Sequence, residues 1–191
     1  MSKAPRVLQT TSRNPTNTMR TLCKDISCTF PNVERVNRGK LSIEGIIEKA
    51  IELNAEKVVI VDRFTEGTGK IQLFQVKQSG LVGVPPIIHV RNVKFRRGFG
   101  ESMHKENRIN SIAIANSSKE SFEIKRLENA LSSFFEVPVV PFEKAINGKC
   151  DAVMQVLENS SERITITFSL VPQLVEIGPR MEISHLAWEL E

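Results

Sequence analysis

Tyrosine is absent from this 191-residue chain and tryptophan occurs once, so its 6% aromatic content is almost entirely phenylalanine. Most of those phenylalanines fall at apolar-periodic positions and read as core. A binding surface built on exposed rings, on which successive bases stack, therefore has few residues to use. Cysteine is scarce as well: Cys23, Cys28 and Cys150 are odd in number and lack zinc-type spacing. Buried free thiols in a reducing compartment are the expectation, with Cys23 on the apolar face of a helix. His89, His104 and His185 stand apart from one another, and no Gly-x-Ser-x-Gly, phosphate-loop lysine or His-Glu-x-x-His pattern occurs. Gly67-x-Gly69 lacks the strand–helix setting of a dinucleotide site, and Glu44, Glu48 and Glu52 read as a solvated helix face. Nothing here calls for catalysis, a cofactor or a metal. No apolar run approaches the roughly twenty residues that span a bilayer, and Met1–Pro5 lead directly into a strand without room for a signal peptide. A cytoplasmic protein without membrane contact is expected.

What the chain does have is an uneven charge. Residues 1–40 carry eight Lys/Arg against two Asp/Glu, a balance of +6, and residues 81–110 carry +4. Residues 41–80 stand at −1 and residues 111–191 at −5. The total of +4 thus hides two basic segments and an acidic C-terminal half, which points to a polyanionic partner on one side. The acidic half serves solubility or faces a protein partner.

The first basic segment has the most structure in it. Arg6–Thr11 reads as a strand, Ser12-Arg13-Asn14-Pro15-Thr16-Asn17 as turn and cap, and Met19, Leu22, Cys23, Ile26 and Phe30 as the apolar face of a helix. Asn17, Arg20 and Lys24 share another face. Hydroxyls and amides feeding a helix N-terminus beside arginines suit phosphate oxygens; the alternative is an ordinary solvated helix. Beyond it, Val33–Arg38 reads as a strand closed by Gly39, Ser42 caps a helix running to Asn54, and Lys57–Phe64 and Lys70–Val76 form a hairpin around Glu66-Gly67-Thr68-Gly69. Ser79–Pro86 reads as a loop, and Ile87–Phe95 as a strand running into Arg96-Arg97-Gly98.

The second half reads as a worn copy of the first. A shift of 105 residues lays Arg6–Thr11 on Ser111–Asn116 and matches Ser12 with Ser117, Leu22 with Leu127, Ser27 with Ser132 and Phe30 with Phe135. Ser117-Ser118-Lys119-Glu120 offers a capping box, placing the second helix start near Ser118. No partner for the helix at 42–54 is evident. Strand candidates follow at Val137–Phe142, Asp151–Glu158, Arg163–Leu170 and Leu174–Leu190. In the last, the apolar parity slips between Ile183 and Leu186, which predicts a bulge near Ser184-His185. Gly178-Pro179 predicts a sheet edge or a kink that presents Arg180.

Three of these motifs, in this order, resemble the Brix-domain family: Thr11-Ser12-Arg13-Asn14-Pro15 after the first strand, Phe30-Pro31-Asn32 before a strand ending Asn37-Arg38-Gly39, and Glu176-Ile177-Gly178-Pro179-Arg180 near the end. The resemblance runs from about Arg6 to Leu190 and is greatest to the branch acting in small-subunit pre-rRNA processing, in its short archaeal form. It implies a single α/β Brix domain over 1–191, with similar halves at about 6–98 and 109–190. Each half would resemble the anticodon-binding domain of class IIa tRNA synthetases. It also implies non-catalytic binding of pre-rRNA or rRNA by a monomer, with assembly proteins meeting the acidic half and a nucleolar location in a eukaryote. The residues expected to meet RNA are Ser12, Arg13, Asn14, Asn17, Arg20, Lys24, Arg38, Arg91, Arg96, Arg97 and Arg180, with Gly178 and Pro179 shaping the last. Two other functions fit the residues: an enzyme holding a small phosphate ligand at Ser12–Asn17, and a protein-only scaffold.

Overall fold

The computed structural model describes residues 6–65, 68–100, 109–116, 121–148, 150–159 and 161–190. Ser117–Glu120, His104 and the tip of the hairpin at Glu66-Gly67 lie outside them. In chain order the elements are β1 (Arg6–Thr11), α1 (Asn17–Thr29), β2 (Val33–Arg35), α2 (Ile43–Glu52), β3 (Ala55–Thr65), β4 (Thr68–Lys77) and β5 (Gly80–Lys94). A short 3-10 turn at Arg96–Phe99 follows, then β6 (Ile112–Asn116), α3 (Phe122–Phe135), β7 (Val139–Pro141), α4 (Phe142–Ile146), β8 (Ala152–Glu158), β9 (Ile164–Leu170), β10 (Val175–Glu176) and β11 (Arg180–Ala187).

Among the described residues the strands make one mixed sheet in the order β2-β1-β3-β4-β5-β11-β9-β8-β6-β7, with β10 paired to β9. β1 lies between β2 and β3 and is parallel to both. At the far end β6 lies between β7 and β8, again parallel to both. The strands between are antiparallel, and β11 joins the two ends by pairing with β5 on one side and β9 on the other.

Alternation along the strands sorts the core. Val7, Val59, Val61, Ile71, Leu73, Ile88 and Val90 share one apolar layer with Met19, Leu22 and Ile26 of α1, and Ile114, Met154, Ile166 and Phe168 continue it with Ile124, Leu127 and Leu131 of α3. α1 and α3 therefore cover the same face. At their ends Phe30 and Phe135 stack with ring centroids 4.3 Å apart, and Phe168 meets Phe30 edge-on at 5.6 Å. Asn32 Nδ2 donates to the Phe135 carbonyl at 3.0 Å, and the Asn32 carbonyl accepts from the Val7 amide at 2.9 Å. Phe30-Pro31-Asn32 is thus a joint between the two ends of the sheet. On the opposite face Leu8, Val58 and Ile60 receive Ile46 and Ala50 of α2, and Ala115 and Val153 receive Ala145 of α4. Each fully buried valine, leucine or isoleucine among them contributes roughly 1.5–3 kcal/mol.

Several expectations are corrected. Ser79–Pro86 is mostly strand rather than loop, since β5 begins at Gly80. Its ladder partners jump from Ile71↔Ile88 to Leu73↔Val84, so Pro85 and Pro86 fall in a bulge, where no amide donor is needed. α3 begins at Phe122 with Ser121 as its cap, four residues beyond Ser118, and the Ser121 hydroxyl accepts from the Ile124 amide at 3.4 Å. The second half does carry a further helix, α4, five residues long, too short to show a period. β2 stops at Arg35, short of the expected Arg38: the Val36 amide still donates to the Gln9 carbonyl at 2.8 Å, and beyond it the chain turns away from β1, with the Leu41 amide donating to the Arg38 carbonyl and Gly39 at φ +50°. Leu174–Leu190 is two strands broken at Ile177-Gly178-Pro179, and β11 is central rather than an edge. The bulge expected near Ser184-His185 is present, as register shifts around Ile183–His185. Of the thiols, Cys23 is buried, Cys150 partly so, and Cys28 is exposed.

Candidate nucleic-acid interface

β1 and β2 run parallel, and the chain leaving each turns at the same end of the sheet. Ligands of open α/β sheets bind in the crevice outside the carboxyl ends of such strands. Here that crevice is a cleft of about 460 Å³ lined by Thr11, Asn14, Pro15, Arg20, Cys23, Arg35, Val36, Asn37, Arg38 and Gly39. Two motifs separated by more than twenty residues in sequence, Thr11–Pro15 and Asn37–Gly39, therefore form its walls.

Local geometry explains how the first wall is held. The Ser12 amide donates to the Val61 carbonyl at 2.9 Å, extending β1 by one residue. Asn14 then takes φ +54°, a left-handed conformation that asparagine tolerates better than most residues. Thr16 caps α1 by accepting from the Met19 amide at 3.3 Å. No acidic residue occupies the first turn of α1, so the positive end of its dipole is not offset there. Arg20 Nη1 donates to Asn17 Oδ1 at 3.3 Å, which orients the guanidinium while leaving its charge unneutralised.

Arg38 is the unusual member. It is only 6% exposed, yet its Nε has no hydrogen-bond partner. Burial, and then the neighbouring Arg13 guanidinium, push its pKa down from the ordinary arginine value. None of Arg13, Arg20, Arg35 and Arg38 forms an ion pair among the described residues. Glu44, exposed at the start of α2, has its pKa lowered chiefly by its own backbone and Ser42 and only last by Arg13. Cys23 is no thiolate: desolvation pushes it up to about 12 despite Arg35, and its Sγ donates to the Thr10 carbonyl at 3.6 Å.

A second basic group gathers at the other end of α1. The Asp25 carboxylate accepts from the Arg96 amide at 2.9 Å, and Arg96 Nη1 donates to Thr29 Oγ1 at 3.2 Å. Lys94 Nζ sits 4.2 Å from the centre of the Phe99 ring, Arg180 lies 5.7 Å from it, and Arg97 is 5.8 Å from the Phe95 ring. Gly178, at φ +64°, lies so close to Phe99 that a Cβ there would fall 2.6 Å from the ring. Its carbonyl accepts from Thr29 Oγ1 at 3.4 Å. Arg180, exposed at the start of β11, forms a bidentate pair with Glu176 through Nε at 2.8 Å and Nη2. Its pKa rises, first from the hydrogen bond to Glu176.

The anticipated residues thus divide. Asn14, Arg20 and Arg38 line the cleft, and Ser12, Arg13 and Asn17 adjoin it; Arg96, Arg97 and Arg180 gather about 20 Å away, at the far end of a thirteen-residue helix. Lys24 is exposed on α1 between the groups, and Arg91 is exposed at the β5 bulge opposite Ile183, with no contact tying it to either. Sequence reading passed over Arg35 and Asn37 as cleft residues. The signal was the strand–helix–strand order of Arg6–Thr11, the helix and Val33–Arg38: a strand that pairs beside β1 after a helical crossover runs parallel to it, so its exit shares β1's carboxyl end. It also passed over His89 stacked on His185 at 3.8 Å and Arg126 lying 3.9 Å from the Trp188 ring, pairings set only by sheet register and helix packing.

No family model matches the chain. It is 31% identical over 75 residues to a probable Brix domain-containing ribosomal biogenesis protein of Sulfurisphaera tokodaii, covering 39% of this chain and 43% of that one. A protein of the same description from Aeropyrum pernix is 35% identical over 68 residues, covering 36% and 38%. The matched segments therefore span less than half the length of these curated relatives. The fold is similar to the crystal structure of a probable ribosomal biogenesis protein from Aeropyrum pernix, at a TM-score of 0.73 and 24% identity over 98% of each chain. Mil, an archaeal Imp4-like protein, superposes at a TM-score of 0.61 with 13% identity over 95% of this chain and 99% of the other.

Proposed function

From its kinship with Brix domain-containing ribosomal biogenesis proteins, we propose that this chain is an rRNA-binding assembly factor. It acts by holding RNA, not by catalysis, in the processing or folding of small-subunit pre-rRNA. The observation that carries the reading is the cleft at the ends of β1 and β2, where two of the family-like motifs meet around guanidiniums that form no ion pair among the described residues. Cations left unpaired in this way are suited to phosphate oxygens. The second basic group, at Arg96, Arg97 and Arg180, extends the RNA path along α1. The acidic C-terminal half is left for protein partners. The protein works as a cytoplasmic monomer, or in the nucleolus of a eukaryote.

The same reading takes residues 1–191 as a single domain of two halves, about 6–98 and 109–190, derived by duplication and each resembling a class IIa anticodon-binding domain. Support for this comes from the matching parallel triplets β2-β1-β3 and β7-β6-β8, and from helices on one face that start 105 residues apart, at Asn17 and Phe122.

Filter or anisotropy binding to pre-rRNA fragments across a salt series tests the function. Replacing Arg20 and Lys24 by Ala is expected to weaken binding across sequences and to lower the salt slope by about one unit per lost phosphate contact. An unchanged slope with intact folding places the RNA elsewhere, and negligible affinity of the unaltered protein at physiological salt refutes RNA binding.

A further inference from the structure

A cleft differs from a basic patch in what can enter it. An A-form duplex presents its phosphates on a convex rim and keeps its bases inside. Arg38 lines the cleft yet is nine-tenths buried, so a phosphate must come into the cleft to meet its guanidinium. The volume, about 460 Å³, lies in the range of pockets that hold a small molecule, roughly 300–1,000 Å³. Its remaining lining supplies amides and a hydroxyl, from Asn14, Asn37 and Thr11, and the planar guanidiniums of Arg20 and Arg35. Amides read base edges, and guanidinium planes stack on unpaired bases in a chain short of aromatics.

We propose that this cleft is a single-nucleotide subsite, which takes one unpaired or extruded ribonucleotide with its phosphate on Arg38 and the α1 N-terminus and its base among Asn14, Asn37 and Arg35. This rests on the RNA-binding reading above and makes it specific: the substrate is a single-stranded or bulged segment, not a continuous duplex.

The test uses the whole protein with adenosine 5′-monophosphate and inorganic phosphate as probes, followed by nuclear magnetic resonance. The mononucleotide is expected to shift the Arg38 Nε–H signal and the backbone amides of Thr11, Asn37 and Gly39 saturably, and at lower concentration than inorganic phosphate does. Single-stranded RNA is expected to bind more tightly than a duplex of equal length, and Arg38→Met to lower single-strand affinity about tenfold, the scale of one good specific contact, while leaving duplex binding nearly unchanged. Equal response to phosphate and mononucleotide overturns the nucleotide assignment, as do shifts confined to another surface. Equal binding of duplex and single strand, unaffected by Arg38→Met, overturns the subsite but leaves RNA binding standing. Failure of the unaltered protein to bind either RNA refutes the function itself and this inference with it. If Arg38→Met does not fold, the mononucleotide titration of the unaltered protein decides.

Discussion

Arg38→Met is expected to stabilise the protein. Arg38 is 6% exposed and its Nε is unpartnered, while its backbone carbonyl, which accepts from the Leu41 amide, is untouched by the substitution. Leaving a buried polar group unsatisfied costs about 1–3 kcal/mol, and more when it is charged. Methionine keeps much of the apolar stem and removes the charge, and replacing a buried ion by an apolar residue of similar size is often neutral or stabilising. Arg13 adds little to the gain, because it is exposed and screened. A net stabilisation of about 1–2 kcal/mol follows, and in a protein of this length each kcal/mol moves Tm by about 2–4 °C, giving a rise of about 2–8 °C. Thermal melts monitored by circular dichroism in phosphate-free buffer measure it. Adding inorganic phosphate should then raise the Tm of the unaltered protein and leave the variant's unchanged, because only a bound ligand contributes mass-action stability. A Tm that falls on substitution, with no phosphate effect in either protein, refutes the reasoning: Arg38 would then hold the fold together and not wait for a ligand.

Three further outcomes follow from the packing. Phe135→Ala removes the ring stacked on Phe30 and should cost about 3–5 kcal/mol, read as a Tm lower by roughly 6–20 °C; a loss below about 1 kcal/mol would mean the joint is not where the sheet's two ends are held. Arg180→Ala breaks a solvent-accessible pair with Glu176, worth about 0–1 kcal/mol, and a long contact with the Phe99 ring, so Tm should move little, and a clear loss of RNA affinity at constant Tm would mark Arg180 as an RNA contact. His89 is held below its ordinary 6.5, first by desolvation, then by His185 and Lys70, so below that value the unfolded chain takes up a proton that the folded one refuses. Stability should therefore fall as pH drops from 6.5 toward the lowered folded value, and the loss in urea midpoint should be smaller in His89→Gln; an identical pH dependence in both proteins would refute the coupling.

Local chemistry carried far in this chain, and long-range pairing did not. β1 is the six residues read from the sequence, and α1 begins at Asn17 as expected, because a strand, a turn and a cap announce themselves within a dozen residues. Pro85 and Pro86 misled because their tolerance depends on a ladder irregularity opposite Gln72, a fact about another strand. Gly178-Pro179 was legible as an edge or a kink but not as which, for the same reason: the Gly-Pro break is visible in sequence, and the strands that flank β11 and make it a kink are not. The cleft was half legible. Arg20, Arg38 and Asn14 stood out as motif residues, yet the burial of Arg38, which separates a binding pocket from a charged surface, exists only once β1 and β2 lie side by side.

The position of β11 also bears on how the molecule comes into being. It is the last of the described strands to be synthesised, and it fills the gap between β5 and β9. Until it arrives, each end of the sheet carries an open row of backbone donors and acceptors, the surface most prone to wrong partnering. Closing that seam brings Arg180 alongside Lys94 and lays Gly178 against Phe99 in the same motion. The far basic group is thus complete only when β11 is seated, and a chain with that strand undocked presents the cleft without it.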